Sequence, residues 1–321
     1  MITIRKGMKI MKKTTYLIVI SVITIVCVIA GSIYHIGGFS IPGVFRIGSG
    51  KSDTKVTSIE LDDGSVSADT VDLDKFSNID MDLQVMDVTI QRGDSLGLSY
   101  ECSKKEYIPV IDVKDDLLTV RQNIKKKIVN MGKIKCKMVL TVPENFKFEN
   151  VEIRSDVGDL KIDGIDGDAF IFESDTGDIK LASITGKELE ISGDTGDIKL
   201  SGCSFTNTDI SGNTGDVKLD NCERLGEISV DNDTGNIIFE NCKLSDPDGN
   251  INISTDTGDV RIGGVDDLGR FTTDFETDLG DVKVNGKNYN KHYSEKASSG
   301  DASGESKNFI ISTNIGDIVV D

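Results

Sequence analysis

Aspartate residues recur in this sequence at a spacing that suits either acid catalysis or cation binding. The tripeptide Asp-Thr-Gly begins at four positions, which are Asp175, Asp194, Asp233 and Asp256. In aspartic proteases this tripeptide carries the catalytic carboxylate and is followed by Ser or Ala, whereas here Asp or Asn follows. A catalytic dyad consists of two carboxylates that share one proton, and a repeated motif singles out no such pair. We therefore interpret the tripeptides as turns, in which Asx side chains accept backbone N–H bonds.

A second set of carboxylates directly follows the glycines, and its members Asp159, Asp178, Asp197 and Asp216 form the candidate cation column. On stacked strands they would repeat about every 4.8 Å, and like charges at that distance repel unless they are countered. Lysines, backbone N–H groups or bound Ca²⁺ could counter them. The nine-residue repeat of calcium-binding β-rolls is absent from the sequence. We favour solvated turn caps over metal binding and predict no cofactor.

Of the six cysteines, Cys27 falls in the apolar N-terminal run and the other five divide into two groups. Three of them lie seven residues after a motif glycine, where other repeats carry Ile or Val; they are Cys203, Cys222 and Cys242. This column predicts a buried ladder in which free Cys acts as a small hydrophobe, although a disulfide between adjacent repeats is conceivable. Cys102 and Cys136 fall on predicted strands nearer the N-terminus and could form a disulfide outside the membrane.

An internal repeat positions these residues. Eight short motifs centre on a glycine with an acid or Asn on each side, at spacings of 19, 19, 19, 20, 23, 22 and 36 residues. The glycines are Gly158, Gly177, Gly196, Gly215, Gly235, Gly258, Gly280 and Gly316. A period near 19 is too short for a helical-hairpin repeat and fits one rung of a β-solenoid. The glycines are predicted to be structural turn residues, where φ > 0 costs little.

Apolar residues occupy fixed columns around each glycine. The positions two and four residues after it and five residues before it are apolar in all eight motifs. Between the first two columns the residue is mostly basic, as in Lys161, Lys180, Lys199 and Lys218. This alternation is typical of a half-buried strand. We predict an all-β fold, a parallel β-solenoid of about eight rungs of roughly 19–22 residues, with right-handed crossovers.

The N-terminus predicts a membrane anchor. Residues 1–13 carry five basic residues and no acid, and residues 14–36 contain an uncharged apolar run. About 20 apolar residues span a bilayer, and basic residues remain on the cytoplasmic side. We expect a cytoplasmic tail over 1–13, a transmembrane helix over 14–36, a Gly/Ser-rich linker over 37–55 and an extracellular domain beyond. A cleaved signal peptide is the alternative.

The extracellular part divides at residue 143. Residues 56–142 are strand-rich but less regular, and we interpret them as the N-terminal part of the solenoid body; residues 143–321 carry the repeat, with 285–307 as a polar protruding loop. One stretch of 56–142, the basic segment 121–137, contains no acid. Its cations are Arg121, Lys125, Lys126, Lys127, Lys133, Lys135 and Lys137. They form either a solvated hairpin or a contact for lipid headgroups or anionic wall polymer.

These features resemble the bacterial "putative adhesin" domain of LiaG-like membrane-anchored envelope proteins. The resemblance covers about 70–321 and rests on the N-terminal anchor, the Val-Thr-Ile-Gln-Arg-Gly-Asp strand and turn, the tandem Thr-Gly-Asp-Ile/Val-Lys-Leu rungs and the closing Ser-Thr-Asn-Ile-Gly-Asp-Ile. It implies a β-solenoid ectodomain linked to cell-envelope stress. It supplies no catalytic residues.

Composition narrows the function. A net charge of −18 disfavours nucleic acid as a partner, and two His with no Trp leave few residues for imidazole chemistry or sugar platforms. We predict a non-enzymatic envelope protein of the cell membrane that binds or senses a partner: anionic wall polymer, lipid headgroups or another envelope protein. The alternative is a polysaccharide-active lyase or hydrolase on the same scaffold, for which unpaired carboxylates would line one cleft.

Overall fold

The computed structural model describes residues 55–56, 59–60, 66–124, 135–223, 225–244, 249–265, 267–298 and 307–321. All of them belong to one compact unit, 51–321. The predicted tail, transmembrane helix and most of the linker, residues 1–54, lie outside the described residues. Within the described ranges, no helix is long and apolar enough to cross a membrane.

Twenty-seven strands and two short 3₁₀ turns make up the described unit. The strands before the repeat are β1 (Lys55–Val56), β2 (Ile59–Glu60), β3 (Val66–Asp72), β4 (Asn78–Val85), β5 (Asp87–Gly93), β6 (Gly97–Cys102), β7 (Val110–Lys114), β8 (Leu117–Arg121) and β9 (Cys136–Pro143). The 3₁₀ turns cover Lys105–Tyr107 and Leu268–Arg270.

The repeat supplies the other strands in pairs. They are β10 (Lys147–Val157), β11 (Leu160–Asp163), β12 (Asp166–Thr176), β13 (Ile179–Ala182), β14 (Glu188–Thr195), β15 (Ile198–Ser201), β16 (Asn207–Thr214), β17 (Val217–Asp220), β18 (Glu227–Thr234), β19 (Ile237–Glu240), β20 (Ile251–Thr257) and β21 (Val260–Ile262). The C-terminal strands are β22 (Phe271–Leu279), β23 (Val282–Val284), β24 (Lys287–Asn288), β25 (His292–Glu295), β26 (Lys307–Ile315) and β27 (Ile318–Val320).

Two sheets enclose the core. The first has the order β1-β3-β6-β9-β5-β11-β13-β15-β17-β19-β21-β27-β23-β24, with β2 beside β3. The second has the order β25-β22-β26-β20-β18-β16-β14-β12-β10-β4-β8-β7. Each rung places its longer strand in the second sheet and its shorter strand in the first, and equivalent residues pair in parallel register, as Ile153 pairs with Phe172. The predicted parallel all-β solenoid is confirmed.

Alternation along each strand explains why the sheets face each other. In β13 the apolar Ile179 and Leu181 are buried and Lys180 is exposed between them. In β12 Phe170 and Phe172 are fully buried. Side chains on a strand point alternately to opposite faces, so one face of every rung enters the core and the other meets solvent. Stacking removes both faces of the core from water and supplies the main favourable free energy of the fold.

The stack contains nine two-strand rungs, one more than the eight glycine motifs indicate. The additional rung is β4 and β5, which pair in parallel with β10 and β11. It lies within 56–142, and its Met81, Val88 and Ile90 are buried in the same core. Beyond it, β8 pairs with β4 and β9 pairs with β5, and antiparallel strands β7, β6 and β3 close this end.

At the C-terminal end the stacking order departs from the chain order. The last two strands, β26 and β27, lie between the rung of β20 and β21 and the rung of β22 and β23. Part of the 285–307 segment, which we expected to protrude as a loop, instead forms strands: β24 turns back on β23, and β25 pairs antiparallel with β22. These strands cover the far edge, because an uncovered parallel edge would leave N–H and C=O groups unpaired.

Candidate functional site

The predicted turn glycines form a column along one corner of the solenoid. Seven of the eight have φ between +142° and +157°, a region open essentially only to glycine; they are Gly158, Gly177, Gly196, Gly215, Gly235, Gly258 and Gly316. Gly280 is not among the positive-φ residues. A Cβ on any of the eight would approach the backbone carbonyl oxygen of the neighbouring rung to well under 3.0 Å. Close stacking between rungs is therefore a second reason for glycine here.

The residues after these glycines form a hydrogen-bonded ladder. The Oδ1 of every member but the last accepts the backbone N–H of the equivalent residue in the next rung, at N···O distances of 2.8–3.1 Å. In spatial order the ladder runs Asp87, Asp159, Asp178, Asp197, Asp216, Asn236, Asp259, Asp317 and Asp281. The four members of the candidate cation column are consecutive rungs of this ladder.

Lysines on the same face pair with the second carboxylate oxygen. Lys180 Nζ lies 2.8 Å from Asp178 Oδ2, and Lys199 Nζ lies 2.8 Å from Asp197 Oδ2. The Lys180 hydrogen bond, followed by the Asp197 N–H, lowers the pKa of Asp178 below its usual range. Lys199, followed by the Asp216 N–H, lowers the pKa of Asp197 in the same way. Both oxygens of these two carboxylates thus have internal partners.

Two kinds of internal partner counter the repulsion between the stacked carboxylates. Of the three means of relief that the sequence suggests, backbone N–H groups and lysines both act in the structure. Within the described ranges, no group of three or more His, Cys, Asp or Glu side chains is placed to hold a metal ion. Hydrogen bonds and ion pairs within the ladder counter the charges of Asp178 and Asp197.

A depression of about 260 Å³ opens on the outer face of the first sheet, where β9, β5, β11 and β13 adjoin. The depression is open because the short side chains of Thr89 and Val139 stand where later rungs carry lysine. Lys137 and Lys161 line it. The structure thus brings the last residue of the basic segment into the same depression as the first lysine of the outward-facing column.

The basic segment is only partly within the described residues. Arg121 forms an ion pair with Asp80 and donates a 2.9 Å hydrogen bond to the Asp80 carbonyl, so its charge is already paired. Lys135 and Lys137 are exposed, and Lys137 lies opposite Glu101 across β6 and β9. The remaining members, Lys125, Lys126, Lys127 and Lys133, lie outside the described residues.

The two cysteine groups occupy different surroundings. Cys203, Cys222 and Cys242 are buried in the core, at most 1% exposed. Their thiols donate to backbone carbonyls, as Cys242 does to Leu219. Cys102 and Cys136 are also buried free thiols, and they lie directly opposite each other on β6 and β9.

Sequence reasoning missed the first member of the ladder. Asp87 accepts the N–H of Asp159 exactly as the repeat aspartates do, but Met86 precedes it where the motif has glycine. The signal that could have revealed it is the alternation of Val88 and Ile90 after Asp87, the same spacing that follows every motif glycine. It also missed buried Gln122, whose Oε1 accepts the N–H groups of Gln84 and Val85.

Comparison with known proteins gives one family match. A family model described as Toastrack DUF4097 matches residues 76–321, which include all nine rungs. None of the curated proteins matches the chain.

Three bacterial proteins are among the solved structures similar to this chain. One is a "putative cell adhesion protein" from Clostridium sporogenes, at 14% identity and a TM-score of 0.28, covering 84% of this chain and 99% of that one. Another is a "putative adhesin" from Bacteroides fragilis, at 12% identity and a TM-score of 0.38, covering 80% and 97%. A "putative lipid binding protein" from Parabacteroides distasonis has 9% identity and a TM-score of 0.33, covering 81% and 98%.

Proposed function

Because the chain belongs to the Toastrack DUF4097 family, we propose that it is a non-enzymatic binding module that a bacterial cell displays on the outer side of its membrane. In this proposal residues 14–36 anchor the chain, residues 37–55 carry the solenoid away from the bilayer, and the solenoid contacts an anionic component of the envelope. A role in envelope stress, as in LiaG-like proteins, belongs to the same proposal.

The observation that supports a binding module is the even pairing of charges along the ladder face. Asp178 and Asp197 each use both carboxylate oxygens, one on a backbone N–H and one on a lysine. Arg261 pairs with Asp259 at 2.6 Å, and Lys218 pairs with Glu240 at 2.7 Å. A face whose carboxylates are paired in this way singles out no group for catalysis and leaves contact with a partner to charges outside it.

The rival hypothesis of a polysaccharide-active enzyme needs a pair of carboxylates set apart from the others, one of them protonated. The ladder carboxylates whose pKa values shift, Asp178 and Asp197, shift downward, which keeps them ionised. A general acid needs the opposite shift. Nothing in the described ladder therefore favours this alternative.

The basic segment is the proposed contact with the partner. Near an anionic surface each Lys or Arg contributes about 1 kcal/mol. Arg121 is engaged with Asp80, so we assign the contact to the lysines from Lys125 to Lys137. Acidic residues elsewhere on the domain would orient it, because they are repelled by the same surface.

Co-sedimentation of the unit 51–321 with anionic vesicles, and separately with purified wall polymer, tests this assignment. The variant Lys125→Gln/Lys126→Gln/Lys127→Gln should lose most binding at low salt. The matched control Lys180→Gln/Lys199→Gln/Lys218→Gln removes the same charge from lysines that are already paired, and should bind nearly as wild type. Equal binding by both variants, or no binding by the wild type, would contradict the proposal.

The placement outside the cell is tested separately. Protease added to intact, wall-stripped cells should degrade the solenoid, because the positive-inside rule puts everything after Gly37 outside. Full protection of the domain, with degradation only after lysis, would reverse the proposed topology.

A further inference from the structure

We propose that Cys102 and Cys136 form a disulfide modification site that closes the N-terminal end of the solenoid. Both thiols are buried, Cys102 at 0% and Cys136 at 3% exposure. They belong to neighbouring antiparallel strands of the first sheet, β6 and β9, rather than to the parallel repeat. The site goes beyond the proposed binding function, and its geometry does not depend on that function.

The pairing register suits a cross-strand disulfide. Cys102 and Cys136 are direct partners across β6 and β9. The Ser103 N–H donates to the Lys135 carbonyl at 2.8 Å, so the adjacent pair is hydrogen-bonded. Pairs alternate along an antiparallel ladder, which makes the cysteine pair a non-hydrogen-bonded one, with Cα atoms about 4.5 Å apart. Disulfides need Cα atoms roughly 4.4–6.8 Å apart, and this pair meets that requirement without backbone movement.

The surroundings hold the two sulfur atoms in place. Cys102 Sγ donates to the Tyr107 carbonyl at 3.5 Å, and Gln122 Nε2 donates to the same carbonyl at 2.7 Å. Gln122 Nε2 also lies 3.8 Å from Cys136 Sγ. The hydrogen bond from Cys102 lowers the pKa of Cys136, and the Ser103 N–H and Gln122 add to this effect against the opposing effect of burial. Cys136 is therefore the thiol that ionises first.

The other three described cysteines also include a thiol with a lowered pKa, because hydrogen bonds from Cys203 and Cys242 lower the pKa of Cys222, but they differ from the pair in register. Cys203, Cys222 and Cys242 lie on successive parallel rungs, where the Glu223 N–H donates to the Cys203 carbonyl at 3.1 Å. Equivalent atoms on such rungs are about 4.8 Å apart and point in the same direction. Disulfides need Cβ atoms about 3.5–4.5 Å apart. We expect these three residues to remain thiols under conditions that oxidise the pair.

The bond would constrain a functionally distinct part of the chain. Cys102 and Cys136 bracket residues 103–135, which include the 3₁₀ turn, β7, β8 and nearly all of the basic segment. Closing this loop restricts the unfolded chain and so stabilises the folded end. It also fixes the C-terminal end of the segment that we assign to partner contact, which contains Cys136.

The oxidation is a thiol–disulfide exchange with an external disulfide, for which oxidised glutathione is the probe. The Cys136 thiolate attacks one glutathione sulfur, an S–S bond forms between them, and one glutathione thiolate leaves. Cys102 then loses its proton and attacks Cys136 Sγ, which releases the second glutathione thiolate. Two protein thiols and one glutathione disulfide become one protein disulfide and two glutathione thiols. Because both thiols are buried in the folded domain, the exchange takes place while the chain folds, after β6 and β9 have brought the two thiols together and before this end is closed to solvent.

Peptide mapping of the refolded full chain tests the site. The chain is unfolded, refolded in mixtures of reduced and oxidised glutathione, alkylated and digested without reduction. We expect one cross-linked peptide joining Cys102 to Cys136, lighter by two hydrogens than the two thiol peptides together, with Cys203, Cys222 and Cys242 recovered alkylated. Recovery of Cys102 and Cys136 as alkylated thiols in every mixture would overturn the proposal, as would equal cross-linking within the ladder.

Thermal melts give a second readout. Reductant should lower the Tm of the oxidised wild type by roughly 5–10 °C, should lower that of Cys222→Val equally, and should leave Cys102→Ser unchanged. If Cys102→Ser does not fold, the wild type melted with and without reductant still tests the proposal. An equal Tm in the two melts would contradict a stabilising disulfide. Alkylation of cells at lysis distinguishes this site from the proposed function: a pair that cross-links in vitro but is reduced in cells supports the site and contradicts the extracellular placement.

Discussion

The middle of the solenoid and its two ends use the same rung but connect it differently. From β10 to β21, each rung pairs with the one before it in the chain, and equivalent residues meet in register. At the N-terminal end, strands β6 to β9 come between β5 and β10 in the sequence but not in the sheets. In the sheets, β8 and β9 pair with the outer edges of β4 and β5. At the C-terminal end, β26 and β27 enter between two rungs that are consecutive in the sequence.

The comparison shows that a rung can pair with rungs that are not its neighbours in the chain, provided that it carries the same local features. The Asp317 N–H donates to Asp259 Oδ1 and the Asp281 N–H donates to Asp317 Oδ1, so the inserted rung continues the ladder in both directions. Its Phe309 and Ile311 are fully buried like their counterparts in the middle. A glycine corner, an Asx acceptor and three apolar columns thus let a rung join the stack wherever it falls in the chain, but they do not select which neighbours it takes.

The glycine corner should show the largest difference between the middle and the ends. Gly196→Ala forces a Cβ against the Gly177 carbonyl at a φ of +142°, and should lower the free energy of unfolding by more than about 3 kcal/mol. Gly97→Ala, near the N-terminal end, has no heavy atom within 4 Å of the new Cβ and should change it by about 0.5 kcal/mol or less. Chemical denaturation measures both, and equal losses would contradict the stacking explanation.

A buried charge in the middle of the solenoid should lower the free energy of unfolding much more than a charge on the N-terminal edge strand. Cys222→Asp buries a carboxylate at a fully buried position and should cost about 3 kcal/mol or more. Cys222→Val should cost less than about 1.5 kcal/mol, because Val265 occupies the equivalent position two rungs on. Val110→Asp, on the edge strand β7 where the side chain is 69% exposed, is the control and should be nearly neutral. Thermal melts in which Cys222→Asp and Cys222→Val behave alike would show that the column does not face the core.

Acid should weaken the middle through its paired aspartates. The folded pKa values of Asp178 and Asp197 lie below the unfolded ones, so these groups stabilise the fold above the unfolded pKa, near 4, and lose that contribution as the pH falls through the folded pKa. The double variant Asp178→Asn/Asp197→Asn should show a shallower loss of stability below pH 4. The difference should be below about 1 kcal/mol, because both side chains are partly exposed and solvent screens the pairs. If the double variant lost stability in acid as steeply as the exposed control Asp94→Asn, the pairs with Lys180 and Lys199 would contribute nothing to the free energy of unfolding.

A conservative change at Asn232 should make its rung resemble the rungs that follow it in the stack. Thr255, Thr277 and Thr313 each donate a side-chain hydrogen bond to a corner glycine carbonyl. Asn232 makes the equivalent bond to Gly215 but leaves its buried Oδ1 without a partner. Asn232→Thr should therefore be neutral or stabilising, by up to about 1 kcal/mol in denaturant titrations. A clear loss of stability would show that the amide has a further role.

Much of the middle could be predicted from the sequence, because each stacked rung repeats the same local rules. The apolar columns predicted which face is buried, and Cys222 was assigned to the core because Ile and Val occupy the same column. The ends could not be predicted in the same way. Inserting β26 between β20 and β22 requires pairing between residues far apart in the chain, and no periodicity carries that information. Likewise, Lys137 and Lys161 share a depression only because β5 lies between β9 and β11.

Cross-linking of outward-facing cysteines tests the order of the rungs most directly. Arg261 pairs in register with Val319, which pairs in turn with Lys283. A short bifunctional thiol reagent should therefore join Arg261→Cys to Val319→Cys, and Val319→Cys to Lys283→Cys, because adjacent rungs are about 4.8 Å apart. The pair Arg261→Cys with Lys283→Cys, two rungs apart, should react far less. Efficient cross-linking of that last pair, with none to position 319, would mean that the rungs stack in chain order and would contradict the insertion.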